Sequence, residues 1–511
     1  MSVLKYKKRD GFLNNIYSYL LKSDEVVVIL SLSLVSLVFF LGISSTLKIA
    51  IPLLFFISVY ISKILKNSFI GFFLVSLYTF QFFTPNKYYQ VEVLRSYEIR
   101  DILTFQFGRI IGYGINLSNV FLTLSTVFMI SEVIRKKRKN IITFLKSPVL
   151  KDILLGLAFI ISGVNSAFLY SPYHLLSIVW TFQYAQVFIV AFLTFYYFKN
   201  HKGKFKLFYT LICFNIFLQF IISSIQFLKQ SSVGLPIEAT VQKQFFYGLD
   251  EISNIYRVAG TFFYHNELAL ITMIYMTLLF PRAIAEKKVL YFVSLIAAFA
   301  TLIMTQSRAN WIGFSLLIIS IFKFFYNDIK NILRNYSFRR LIIYLGILLS
   351  IFSFLVIPRI LLSFNAPLEG AGIPLRKRMI EEGFEAFIVN PLFGYGAGTN
   401  EYVLHSFFPE GVIADFPLPV LQAHLQFVLE FGIIGALLFV LPFYQLIRKV
   451  LIFTITRNGF ISKYKIPLFT FILGLLTINI HYVFQNHYGI IEFPYIGLIL
   501  GFGMIAAYSL R

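Results

Sequence analysis

The chain has 511 residues, 58% of them hydrophobic and only 13% charged, with 61 Phe among them. That balance excludes an ordinary soluble globular chain and reads as a polytopic integral membrane protein. The formal charge of +22 marks no nucleic-acid partner, because the bases stand in short runs between apolar segments, as in KYKKR (5–9), RKKRK (135–139) and KNHKGKFK (199–206).

The expected fold is all-α, a single transmembrane domain over residues 1–511 with about fourteen transmembrane helices. The apolar spans run near 26–44, 49–65, 68–83, 115–134, 153–170, 175–198, 207–228, 266–285, 289–305, 311–325, 341–361, 424–445, 466–485 and 491–509. The first has no small-residue cleavage site, so it is expected to remain as a helix. The span 311–325 is short as drawn and can extend into the next loop. Cys213 is the one cysteine and lies inside an apolar run, so no intrachain disulfide or cysteine metal site is expected.

With the N-terminus in the cytoplasm, the inner segments and span ends hold 32 of the 45 Lys and Arg and 7 acids, the outer ones 13 bases and 15 acids. This is the positive-inside bias, and it predicts both termini in the cytoplasm. Three outer segments are long: 84–114, 229–265 and 362–423. The last contains an amphipathic helix from about Leu375 to Val389, with Phe384, Phe387 and Ile388 on one side, expected near the outer leaflet.

The polar motifs gather on that outer side. RVAGTFFYHNE brings Arg257 shortly before a span, which His265 and Asn266 begin or cap. TQSRANW holds Gln306 and Arg308 in a very short turn at the membrane boundary. An arginine there usually has a partner or a task, and its planar fork suits bidentate phosphate contacts; the alternative is a snorkelling anchor. Arg376 lies on the amphipathic helix. Gly394, Gly396 and Gly398 in FGYGAG are not a dinucleotide loop, since no βαβ unit surrounds them, and instead permit a tight outer turn. His424 begins the span 424–445, which carries the one mid-span acid, Glu430, and is placed for proton transfer near neutral pH. Gly432 and Gly435 are expected to serve helix packing. His487 in QNHYG is a further pocket candidate, whereas His481 is expected to pack inside its span.

The stretches RVAGTFFYHNELAL, TQSRANWIGF, NPLFGYGAGTNEY and QAHLQFVLEFGIIG resemble the signature of the O-antigen ligase and O-antigen polymerase superfamily, over roughly residues 250–490. The resemblance implies a bacterial inner-membrane glycosyltransferase that takes a glycan from undecaprenyl pyrophosphate in an outer-face cavity. It implies Arg257 and Arg308 as the pyrophosphate grip and His424 as the residue facing the acceptor hydroxyl. His265, Asn266, Gln306, Arg376, Gly394, Gly396, Gly398 and His487 are then substrate-binding candidates. The acceptor would be a glycolipid or a second lipid-linked glycan, with membrane lipid around it. The family's His is normally followed by Asn, whereas here Leu425 follows His424. No DxD-type carboxylate pair accompanies the motifs, so neither a metal nor another cofactor is expected. A polysaccharide or lipid transporter is the competing class, since many spans and basic loops suit it too.

Overall fold

The computed structural model describes residues 26–33, 46–81, 117–137, 148–201, 204–234, 257–262, 265–333, 373–412, 420, 422–456, 461–484 and 492–508. Among these there is helix but no strand. After a helical segment at 26–33 come α1 (Thr46–Leu65), α2 (Ser68–Thr79), α3 (Leu117–Lys137), α4 (Pro148–Tyr170), α5 (His174–Asn200), α6 (Phe205–Lys229) and α7 (His265–Glu286). They are followed by α8 (Val289–Met304), α9 (Arg308–Leu333), α10 (Ile373–Val389), α11 (Asn400–Phe407), α12 (Ala423–Thr456), α13 (Ile461–Phe484) and α14 (Glu492–Tyr508). Such apolar runs fold as helices because a helix satisfies its backbone polar groups within the segment, which hydrocarbon surroundings demand.

Six helices among the described residues, α4 to α7, α12 and α13, are long and apolar enough to cross a membrane, and four shorter apolar helices accompany them. Outward-facing Phe56, Ile161, Ile319 and Leu437 are all more than half exposed, as lipid-facing side chains would be. The helices follow the expected spans closely where they are described. The expected span 341–361 lies outside the described residues, and 26–44 is described over 26–33 alone. The short span 311–325 belongs to a longer helix, α9, which bends at Phe325.

α14 runs along α5 at the centre of the bundle. The approach is close because Gly497 and Gly501, four residues apart, face the backbone of α5. A Cβ at Gly497 would lie 2.6 Å from the Val187 carbonyl oxygen, and one at Gly501 2.8 Å from that of Ala191. This is small-residue helix packing of the kind membranes favour. Gly501→Leu is therefore expected to destabilise the protein by about 1–3 kcal/mol or more through overpacking. The measurement is thermal inactivation in detergent, and an unchanged midpoint would refute the packing account. A cavity of about 460 Å³, lined almost wholly by apolar groups with Asp152 at its edge, lies between α3, α4, α5, α12 and α14. It is remote from the polar end described below.

α12 is not continuous. Gly432, about 14 Å into the helix at 1.5 Å per residue, has φ 65° and ψ −176°. The freed backbone groups are taken up by the 390–398 loop. Tyr395 N–H donates to the Leu429 carbonyl at 3.0 Å and Gly396 N–H to that of Glu430 at 2.8 Å. In return Ile433 N–H donates to Pro391 at 2.8 Å and Ile434 N–H to Leu392 at 3.1 Å. Gly432 therefore breaks the helix and admits a loop, rather than only easing helix packing as its sequence context suggests.

α10, α11 and the following residues cap this end of α12. Ala386, Val403, Leu404, Val420 and Leu429 form a separate small apolar core. The Glu382 carboxylate accepts from the Val412 N–H at 3.0 Å, and Asn400 Oδ1 accepts from the Val420 N–H at 3.1 Å. α10 turns Met379 and Ala386 inward and leaves Ile380, Phe384 and Ile388 exposed. That outward apolar ridge at i, i+4, i+8 suits a helix lying against a membrane surface.

Candidate functional site

The polar motifs meet at one end of the bundle, where α2, α6, α8 and α13 finish and α7, α9, α12 and α14 begin. Arg257 is positioned by the buried segment 258–262, which threads between helix ends. Gln226 on α6 clamps Gly260 from both sides, accepting from its N–H at 2.9 Å and donating to its carbonyl at 3.0 Å. One face higher, Gln219 accepts from the Thr261 N–H at 3.1 Å and donates to its hydroxyl at 2.7 Å. The Thr261 hydroxyl in turn donates to the Gln81 carbonyl at the end of α2. Gly260 sits at φ +60°, and a Cβ there would strike the Gln219 amide oxygen at 2.3 Å, so this turn needs glycine. The clamp holds the segment, since the Gly260 and Thr261 N–H groups, the Gly260 carbonyl and the Thr261 hydroxyl are all paired. It delivers Arg257, whose Nη2 donates to the Gln306 carbonyl at 3.3 Å.

Gln306 is in the turn between α8 and α9, with φ +53°. Arg308 is the first residue of α9 and its side chain is exposed. Two turn residues later the fold fixes itself again. Asn310 donates to Ser307 Oγ at 2.8 Å, its Oδ1 lies 3.0 Å from Nδ1 of His481 on α13, and Trp311 Nε1 donates to the Leu302 carbonyl at 3.3 Å. His481 is buried in its helix and hydrogen-bonded, as its position in the span predicts. The two arginines are thus set on one short stretch of surface by separate buried anchors.

His424 lies in the first turn of α12 and is exposed. Its Nδ1 is 3.4 Å from Gln422 Nε2 and its Nε2 is 3.4 Å from Asn479 Oδ1. The Tyr482 ring stands edge-on to it, with centroids 6.3 Å apart. Tyr482 OH donates to Glu492 Oε2 at 2.8 Å. An amide does reach the His424 ring, then, although no Asn follows it in sequence. His265 and Asn266 begin α7, as expected, with Asn266 buried.

The three glycines of FGYGAG all have positive φ: 68°, 95° and 70° at Gly394, Gly396 and Gly398. A Cβ at Gly394 would lie 2.5 Å from Gly432 N, one at Gly396 would meet Ser171 and Ser177, and one at Gly398 the Trp180 indole. The tight turn expected here is the one that plugs the break in α12. Beside it the buried Glu430 carboxylate accepts from Tyr184 OH at 3.0 Å and from Gln426 Nε2 at 3.2 Å. In the capping segment, burial pushes the Glu401 carboxyl up to about 7. A raised carboxylate favours the neutral acid, so this contribution to stability weakens as pH climbs from the ordinary value of 4.5 through about 7.

Arg257 and Gln306 are therefore joined directly, with Arg308 two residues further along the chain. His424 connects to them through Tyr482, its neighbour His481 and Asn310. Arg376 is partly buried on α10, which reaches α12 where Gly383 meets Leu425. His487 lies outside the described residues. Sequence reasoning missed Gln81, Gln219, Gln226, Gln422, Asn479 and the Tyr482–Glu492 pair. One signal was available for α6, where Asn215, Gln219 and Gln226 recur at spacings that share one helix face.

A comparison with curated proteins finds no match to the chain. Residues 293–440 match the family model described as O-Antigen ligase. That stretch runs from α8 into α12 and contains Gln306, Arg308, Arg376, the three glycines and His424, whereas Arg257, His265, Asn266 and His487 lie outside it. Over residues 293–440 the chain is thus similar to the O-antigen ligase family, which supports the resemblance to the O-antigen ligase and polymerase superfamily.

Proposed function

We propose that the protein moves a glycan from undecaprenyl pyrophosphate to an acceptor hydroxyl at the outer face of the bacterial inner membrane, with inversion at the anomeric carbon. The observation that carries this reading is the contact of Arg257 with the Gln306 carbonyl, two residues from Arg308. Two guanidinium groups on neighbouring segments suit a pyrophosphate, whose oxygens accept paired N–H donors. Pyrophosphate needs little acid help to leave, but the charge that gathers on it in the transition state needs cationic stabilisation. His424 takes the proton of the attacking hydroxyl. His265, Asn266, Gln306, Arg376, His487 and the glycine turn line the donor or glycan path in this reading. The acceptor is a glycolipid in a ligase and a second lipid-linked glycan in a polymerase.

The break in α12 beside Glu430 is the feature that favours a transporter, since broken helices with buried charge mark transport sites. Against it, the break is filled by the backbone of residues 391–396. Purified protein in lipid that consumes lipid-linked glycan without another enzyme supports the transferase. Movement of the lipid with no bond made supports the transporter.

Two further expectations belong to this reading. Reporter fusions at Lys137, Lys202 and Arg339 report a cytoplasmic location, and one at Glu401 reports the outside; a cytoplasmic Glu401 would refute the outer-face placement. Transfer by purified enzyme is also expected to persist in excess EDTA, because the arginines supply the positive charge that a divalent ion supplies elsewhere. Loss with EDTA and recovery with Mg²⁺ or Mn²⁺ would overturn this and direct attention to the outer acids Glu267, Glu401 and Asp415.

A further inference from the structure

Two carboxamides bracket the imidazole of His424, and each is oriented by a second bond that does not involve the ring. Gln422 Oε1 accepts from the Leu425 N–H, which turns its Nε2 toward His424 Nδ1 at 3.4 Å. Asn479 Nδ2 donates to the Leu475 carbonyl at 2.8 Å, which turns its Oδ1 toward His424 Nε2 at 3.4 Å. An amide nitrogen only donates and an amide oxygen only accepts. The geometry assigns Gln422 and Asn479 as positioning residues that hold neutral His424 with its proton on Nε2 and its lone pair on Nδ1. The bond made at one ring nitrogen decides the proton on the other, so anchoring both sides leaves one tautomer.

The assignment rests on His424 being the base of the transfer, and it says which atom acts. The hydroxyl O–H bond breaks and its proton passes to Nδ1. The oxygen's electron pair forms the bond to the anomeric carbon. The bond from that carbon to the pyrophosphate oxygen breaks, and its pair stays on the pyrophosphate. Nε2–H remains on Asn479 Oδ1 and stabilises the imidazolium. The hydroxyl must occupy the place of the Gln422 amide nitrogen, so the acceptor approaches from the side of residue 422 and not from α13.

The test uses the full-length protein labelled with ¹⁵N-histidine in lipid nanodiscs at pH about 8.5, well above the ordinary histidine value, with His424→Gln identifying the signals. The wild type is expected to show protonated Nε2 and unprotonated Nδ1. Asn479 is exposed, so Asn479→Leu can be made without disturbing a core. It is expected to give a mixture of tautomers and to lower kcat on the order of tenfold, less than loss of the base itself. KM for lipid-linked glycan extracted from host membranes stays unchanged. Asn479→Asp keeps an acceptor oxygen and is expected to restore the single tautomer. A wild-type proton on Nδ1, or an unchanged spectrum in Asn479→Leu, overturns the assignment; a changed tautomer with unchanged kcat overturns the positioning role. Persistent transfer by a His424→Ala enzyme, with the tautomer results as expected, would instead defeat the reading of His424 as base and leave its geometry standing.

Discussion

Replacing His424 with alanine is expected to lower glycan transfer by about two to four orders of magnitude, the usual cost of losing a general base, while donor affinity stays within about twofold of wild type on the proposed reading. The ring is exposed in the first turn of α12, so its removal opens no cavity and leaves the fold intact. The donor contacts assigned to Arg257 and Arg308 come from other elements, the 257–262 segment and the start of α9, each with its own buried anchors. Turnover and binding must be measured on the same preparation in nanodiscs. If affinity for lipid-linked donor falls in step with turnover, His424 contacts the donor and the base lies elsewhere.

Much of the fold was legible because hydropathy reports helices directly. The spans expected at 207–228 and 289–305 correspond to helices Phe205–Lys229 and Val289–Met304. The polar ends were legible too, since charged and ring-nitrogen residues at the edges of apolar runs stand out. What stayed hidden was long-range and made of neutral groups. Residues 424–445 read as one continuous span, yet Gly432 breaks the helix, and backbone from 391–396, some forty residues earlier in the chain, pairs with both sides of the break. No local period records such pairing. The clamp on Arg257 is likewise built from Gln side chains dispersed through apolar helices, where each alone reads as an incidental polar residue. Asn479 was invisible for the same reason: its position opposite His424 depends on how α13 packs against α12.

The broken helix links architecture to the site. The glycine turn at 394–398 has no room for side chains at its packed positions, and its pairing with residues 429–434 fixes the break in α12, eight residues after His424. Glu430, the one acid inside that span, is held by Tyr184 and Gln426 beside the same break. A buried carboxylate in this setting is costly unless hydrogen-bonded. Its bonds to α5 and to its own helix make it part of the packed scaffold, whereas His424 and Arg308 are exposed.

Replacing Arg308 with lysine is expected to remove most transfer activity, about 10²-fold or more, as for loss of a preorganised transition-state donor, while the protein inserts and folds as before. The side chain is exposed at the first residue of α9. The turn that carries it is secured by the Asn310–Ser307 and Trp311–Leu302 bonds. Lysine preserves the positive charge and the capacity to reach the membrane surface, so a snorkelling anchor would tolerate the change. It does not preserve the planar fork of N–H donors that can hold two oxygens of one phosphate at once. The two accounts therefore separate on a single conservative substitution. Loss of activity with an unchanged thermal midpoint supports the phosphate role. Near-full transfer by Arg308→Lys would reduce Arg308 to an interfacial anchor and leave Arg257 as the principal cation to test next.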